Sequence, residues 1–174
     1  TGSFSTLTYL DCDVEDTVGT AITGSSSVTT YYVPVNNLYK YSYNQMIYTA
    51  NEINPAHTAT VITALAFQYN YATAMTQKTN VKVYMAHRSD SIFNSTTDWT
   101  PINNATLVYE GPLNCSQGWN KFNLTNFFSY NGSDNLVIIV DDNSFAYNSS
   151  SYNFNAHTKT NSVLYKGHDT ENLD

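Results

Sequence analysis

The chain is short of charge and shorter still of arginine. Arg88 is the only one, and charged residues of all kinds make up 12% of its 174 residues, about half the usual share. The formal net charge is −7. Without clustered Lys and Arg to displace counterions from phosphates, the sequence argues against a nucleic-acid partner, and equally against an anionic membrane surface. Long apolar runs are missing too. The longest, Leu136 to Val140, has the length of a strand, far below the roughly 20 residues of a membrane-spanning helix, so no membrane insertion is expected. The two cysteines, Cys12 and Cys115, are too few for a disulfide framework and lack zinc-site spacing. Either they pair, tying the N-terminal segment to a later strand, or each is a small buried side chain. No signal-peptide pattern follows Thr1, so any export signal is expected outside this stretch.

Catalytic signatures are equally scarce. There is no Gly-x-Ser-x-Gly elbow, no phosphate-cradling glycine loop and no His-Glu-x-x-His, the patterns that hydrolases, nucleotide enzymes and zinc proteases need. His57, His87, His157 and His168 are scattered at no ligand spacing. A glycosidase needs two carboxylates set across a cleft; Glu52, Glu110, Asp141 and Asp142 are available, but nothing in their spacing pairs them. The chain is therefore expected to be non-catalytic.

What is abundant is Tyr, Asn, Thr and Ser, with aromatic residues at 14%. Such a chain, rich in β-branched and aromatic residues and poor in strong helix formers, favours strands joined by polar turns. Six Asn-x-Ser/Thr triplets, at Asn94, Asn104, Asn114, Asn123, Asn131 and Asn148, look like glycosylation sites. With about 22 asparagines and so much Ser and Thr, chance alone produces about five, so they carry no weight.

Residues 1–27 read as an extension with one possible strand, Phe4 to Leu10, an acidic knot from Asp11 to Asp16 and a Gly/Ser/Thr run. The main module is expected over 28–166, with a polar tail over 167–174 marking where the piece was cut from a longer chain. Strand patterns recur over 28–35, 41–48, 59–69, 81–87, 106–109, 118–124, 135–140, 151–156 and 163–165. Val81, Val83 and Met85 face one way and Lys82, Tyr84 and Ala86 the other, the alternation of a strand with one wet face. Leu136 to Val140 is apolar on both faces, so it belongs centrally in a sheet or under a covering loop. Residues 89–105 have no period and read as a surface loop. About nine short strands predict an all-β, antiparallel β-sandwich of two packed sheets, jelly-roll-like.

Several blocks also resemble a known module. They are Tyr32-Val33-Pro34-Val35 with Tyr41 to Ile53; Val83-Tyr84 with Thr96-Thr97-Asp98-Trp99; and Leu107 to Gly111 with Gly118-Trp119 and Asp134 to Asn143. In this order, over roughly Tyr31 to Tyr165, they resemble a tyrosine-rich β-sandwich accessory module that recurs in large secreted proteins of gut and rumen anaerobes. Such modules sit beside glycoside hydrolase, peptidase or adhesin domains. The resemblance implies a secreted or cell-surface setting, neighbouring domains as partners and a carbohydrate-binding role; it carries over no active-site residues.

The aromatics then select candidate ligand residues. A pyranose packs its CH-bearing face on a ring while its hydroxyls seek amide, carboxylate and backbone partners. Phe122 and Leu124 share a core face, which puts Trp119 on the opposite face with Lys121 and Asn123; Tyr84 is likewise placed outward, opposite Val83 and Met85. Trp119 and Trp99 read either as platforms or as framework, with the 89–105 loop able to cover an outer face. Tyr39 and Tyr147 fall in loops near two further aromatic concentrations. The expected ligand set is Trp119, Tyr84, Trp99, Tyr39, Tyr147, Lys121 and Asn123.

Asp141, Asp142 and Asn143 close the most apolar strand and invite a structural calcium ion, against the plainer reading of a solvated turn. No cofactor is otherwise required. The expectation is a monomeric, non-catalytic module that binds polysaccharide or glycan at about millimolar to micromolar affinity, roughly −4 to −8 kcal/mol. The alternatives are a structural or protein-docking spacer or adhesin domain that binds no sugar, and a glycan-cleaving enzyme.

Overall fold

A computed structural model describes residues 27–53 and 58–173. They form nine strands: β1 (Ser27–Thr30), β2 (Tyr41–Tyr48), β3 (Thr60–Tyr69), β4 (Val81–Arg88), β5 (Thr106–Gly111), β6 (Gly118–Tyr130), β7 (Asn135–Asp142), β8 (Phe154–His157) and β9 (Val163–His168). All pair antiparallel, in a four-stranded sheet of order β1-β8-β3-β6 and a five-stranded sheet of order β5-β4-β7-β2-β9. Through β8 the chain crosses repeatedly between the two sheets, the wiring of a jelly roll, and β9 adds an edge strand beside β2. The all-β sandwich expected from composition is the observed fold.

Strand alternation explains the layers. Met46, Val83, Met85, Leu136, Ile138 and Val140 face inward from the five-stranded sheet and meet Tyr69, Leu124, Phe128, Tyr130 and Phe154 from the other. β7 is central and flanked by β4 and β2, as its two apolar faces require. Its second face, with Val137 and Ile139, is covered from outside by Phe93, Trp99, Ile102 and Ala105 of the 89–105 connection.

That connection is a loop, as expected, with one 3₁₀ turn at Ile102–Asn104, but it is no loose surface excursion. Gln45 reaches out of β2 so that its Nε2 donates to the Thr100 carbonyl and its Oε1 accepts from the Thr100 N–H, both at 2.8 Å. The lone arginine holds the rest: Arg88 donates to the Asp98 carboxylate, the Asp98 carbonyl and the Thr100 hydroxyl, and lies over the Phe93 ring.

Several expected boundaries move. The first strand stops at Thr30, because the chain leaves the sheet toward Pro34, which has no N–H for a ladder. β6 continues six residues past its expected end to Tyr130, past a register shift between Ile62 and Ala64 of β3. A one-turn helix, α1 (Ala50–Ile53), follows β2. Its first turn is capped by Glu52, whose Oε2 accepts from both the Thr49 N–H and the Thr49 hydroxyl at 2.7 Å. The expected tail is no tail throughout: β9 runs to His168, and Leu173 packs on the covered outer face. The expected strand at Phe4 to Leu10, the acidic knot and Cys12 lie outside the described residues. Cys115 is a buried free thiol, and burial pushes it up to about 12.

Candidate functional site

The expected ligand residues separate into three places. Tyr84 and Trp99 leave the candidate list as solvent platforms. Tyr84 lies in the cluster under the 89–105 loop, and Trp99 is that loop's own ring turned inward, packed on Tyr43 with ring centroids 5.5 Å apart. Tyr84 does point to the outer face, as alternation requires, but that face is roofed by the loop.

Trp119, Lys121 and Asn123 lie on the open outer face of the four-stranded sheet, where Trp119 is 55% exposed and pairs across β3 with Gln68. This face continues through the exposed Phe127 and Val61.

Tyr39 and Tyr147 belong to a third region, built by the segments after β1, β7 and β9. A groove of about 300 Å³ is lined there by Leu38, Lys40, Tyr147 and Asp169. Tyr147 is 63% exposed. Phe145, also exposed, stands two residues before it with φ 54°, a left-handed backbone unusual for a large side chain and of the kind that clusters at ligand clamps. The Lys40 ammonium lies 4.6 Å from the Phe145 ring centre, and Asp169 Oδ1 accepts from the Lys40 N–H at 3.4 Å.

These segments are fixed from beneath by Lys78, whose side chain is fully buried. Its ammonium donates to Asp142 Oδ2 at 2.6 Å and to the carbonyls of Ala146 at 2.7 Å, Tyr39 at 3.1 Å and Asn36 at 3.5 Å. One buried cation thus ties the loop bearing Tyr39 to the loop bearing Phe145 and Tyr147. Burial raises the Asp142 carboxyl above its ordinary range, against the opposing pull of the Lys78 ammonium and the Ser144 hydrogen bonds. A second tie runs through buried Asn37, which donates to the Tyr152 carbonyl at 2.6 Å and accepts from Asn148 Nδ2 at 3.0 Å. Asn148 also donates its N–H to the Asn37 carbonyl. Aromatic loops held this firmly lose little entropy on binding.

No family model, curated protein or solved structure matches the chain. The site is therefore argued from its own geometry.

That geometry does not gather the three residues considered for calcium. Asp142 faces the interior and Asp141 the opposite side of β7. The Asp142 oxygens already accept from Lys78 and from the Ser144 N–H. Asn143 turns its Nδ2 toward Asp141 Oδ2, at 2.7 Å, which presents a donor where a cation needs an oxygen. Among the described residues no group of three or more His, Cys, Asp or Glu is set to hold a metal.

Of the carboxylates considered for hydrolysis, Glu52 is taken up by its own contacts. Glu52 accepts from Lys159 at 2.6 Å, with His157 at 3.7 Å. Burial alone would raise the Glu52 carboxyl, but the Lys159 and Thr49 hydrogen bonds bring it below its usual value. Glu110 and Asp141 lie in one cross-strand row with Lys82 between them. His87 accepts from the Asn131 N–H and packs on Phe128, while His168 Nδ1 accepts from the N–H of Thr170 and of Glu171. Glu52, His87 and His168 are thus engaged within the fold. His57 is outside the described residues.

Sequence reasoning missed the members of the third region that no strand pattern marks: Leu38, Lys40, Phe145 and Asp169. Phe145 carried a signal, a large aromatic directly after the turn residues Asn143-Ser144. Lys78 carried none, because nothing in its neighbours announces a buried lysine.

Proposed function

We propose that the chain is a non-catalytic carbohydrate-binding module, acting as the accessory domain of a larger secreted protein. Its site is the groove between Tyr147, Leu38, Lys40 and Asp169. The observation that carries the reading is this groove, in which an exposed ring stands beside a cation and a carboxylate on loops anchored by a buried lysine. Sugar recognition needs that combination: an apolar face for the CH side of the ring, and fixed donors and acceptors for the hydroxyls. Tyr147 supplies the face, Lys40 donates and Asp169 accepts. The resemblance to secreted accessory modules points the same way.

Covering one sugar face and its share of Tyr147 removes roughly 60 Å² of apolar surface from water, worth about 1.5 kcal/mol or tenfold in affinity. The test is an array of plant and host polysaccharides probed with the native protein, Tyr147→Ala and Trp119→Ala. The reading predicts selective binding that falls about tenfold in Tyr147→Ala and persists in Trp119→Ala. Binding lost in Trp119→Ala alone would move the site to the Trp119 face, and no binding to any glycan would overturn the reading.

A second reading, a domain that docks or spaces its neighbours, is favoured by one observation. Val61, Trp119 and Phe127 all lie exposed on the outer side of the four-stranded sheet, an apolar set of the kind that marks protein contacts.

A further inference from the structure

The groove at Tyr147 does not end the aromatic surface. Tyr165, 48% exposed on the edge strand β9, stacks on Tyr32 with ring centroids 4.5 Å apart and planes within 20°. Tyr31 leans on the other partner of that pair, at 4.3 Å from the Tyr32 ring, and the Tyr31 and Tyr32 hydroxyls are 3.0 Å apart. The neighbouring Tyr31 hydroxyl holds the Tyr32 phenol above its usual value, and Tyr165 and Tyr39 lie close enough to add to that. These rings therefore form one neighbourhood.

Tyr39 links this neighbourhood to the groove. Its ring lies against the backbone of Gly167, so closely that a Cβ there would stand 2.4 Å from Tyr39 Cδ2 and 2.7 Å from Cγ. Gly167 sits two residues beyond Tyr165 on the same strand face and two before Asp169, which lines the groove. Leu38 and Lys40, on either side of Tyr39, line it as well. From Tyr165 to Asp169 the surface runs about 13 Å at the rise of an extended strand. That is longer than one pyranose ring.

We propose that the site takes an extended glycan chain along β9, with the Tyr32–Tyr165 pair as a second sugar-stacking subsite and Tyr39 as the bridge between subsites. This rests on the glycan-binding reading and goes beyond it by fixing ligand length and direction. The exposed Tyr165 ring offers the stacking face, and the paired Tyr31 and Tyr32 hydroxyls offer a donor and an acceptor suited to neighbouring sugar hydroxyls. An edge strand also leaves room for a chain to enter and leave at both ends.

The test is calorimetric titration of the full chain with cello-, xylo- and manno-oligosaccharide ladders of two to six units. The proposal predicts affinity that rises about tenfold from the shortest members to those that reach both subsites. Tyr165→Ala should abolish that rise while leaving the short oligosaccharides bound as before, and Tyr165→Phe should keep it. Tyr147→Ala should weaken every length. Affinity independent of length, or Tyr165→Ala indistinguishable from the native protein, would overturn the second subsite and leave the groove standing. Binding of no oligosaccharide in any ladder would overturn the second subsite together with the reading it rests on.

Discussion

Replacing Lys78 by Met separates two things the buried lysine does, support of the fold and support of the site. The native ammonium faces one carboxylate and three carbonyls, with both charged side chains fully buried. Met fills a similar space and offers no donor. Asp142 would then keep only its Ser144 hydrogen bonds and stand as a buried charge without its cation, a situation that costs about 3–5 kcal/mol. Against a total stability of about 5–15 kcal/mol for an ordinary domain, that is a severe loss. Adding Asp142→Val removes the stranded charge, and apolar replacement of a buried ion pair is commonly neutral or favourable. The raised Asp142 carboxyl says the same, since burial there costs more than the ammonium returns. The double variant still leaves the Tyr39 and Ala146 carbonyls without their donor, at about 1 kcal/mol each. It should therefore recover stability to within about 2 kcal/mol of the native protein. Its aromatic loops would be untied, so glycan affinity should stay low. Urea unfolding followed by fluorescence, with the m-value checked for constancy, reads the stability. Titration with the bound polysaccharide reads the site. A Lys78→Met cost below about 1 kcal/mol, or a double variant no more stable than the single one, would refute the reasoning.

Three further outcomes are expected. Gly167→Ala meets no backbone strain but must push Tyr39 off β9; overpacking of this kind costs about 1–3 kcal/mol, and oligosaccharide affinity should fall while far-UV circular dichroism is unchanged. Arg88→Ala releases Asp98, Thr100 and the Phe93 ring, so hydrogen exchange should rise across 89–100 and Trp99 emission should shift red, with glycan binding kept. Glu52 and Asp98 both have carboxyls lowered in the folded protein, Asp98 chiefly through the Asn94 N–H. The unfolded chain thus binds protons more readily, so their contribution is full above the ordinary values of 4.5 and 3.8 and is lost as pH falls below them. Glu52→Gln should flatten the acid limb of a stability–pH curve measured by urea unfolding, and an unchanged limb would contradict the Lys159–Glu52 assignment.

How much of this could be read beforehand depended on whether a property repeats along the chain. Val81, Val83 and Met85 alternate with wet neighbours, and a period of two survives folding, so β4 and its inner face were legible. So was the position of β7, because Leu136 to Val140 has no polar face to give to water. The far end of β6 was not legible, because the adjacent Phe127 and Phe128 interrupt the apolar–polar alternation, although Phe122, Leu124, Phe128 and Tyr130 all belong to the inner side. The one-turn helix had a signature in Thr49-x-x-Glu52, too short to show a helical period. Tyr84 was placed on its proper face, but whether that face meets solvent depends on a distant loop, and the pairing of Gln45 with Thr100 is not a local property. The groove was half legible for the same reason. Tyr39 and Tyr147 stood out as loop aromatics, yet what brings residues 38–40, 145–147 and 165–169 together is distant in sequence: buried Lys78 and the Asn37–Asn148 bonds for the first two, and the β2–β9 pairing with the Lys40–Asp169 bond for the third.

The most direct test of the central claim is to map the binding surface itself, by following backbone amide resonances of the ¹⁵N-labelled protein during titration with cello-, xylo- and manno-hexaose. The account predicts that one of these shifts residues 38–40, 145–147 and 165–169 in a saturable way, while the amides around Trp119, Lys121 and Asn123 stay in place. Shifts centred on the Trp119 face, or none with any of the three sugars, would contradict it.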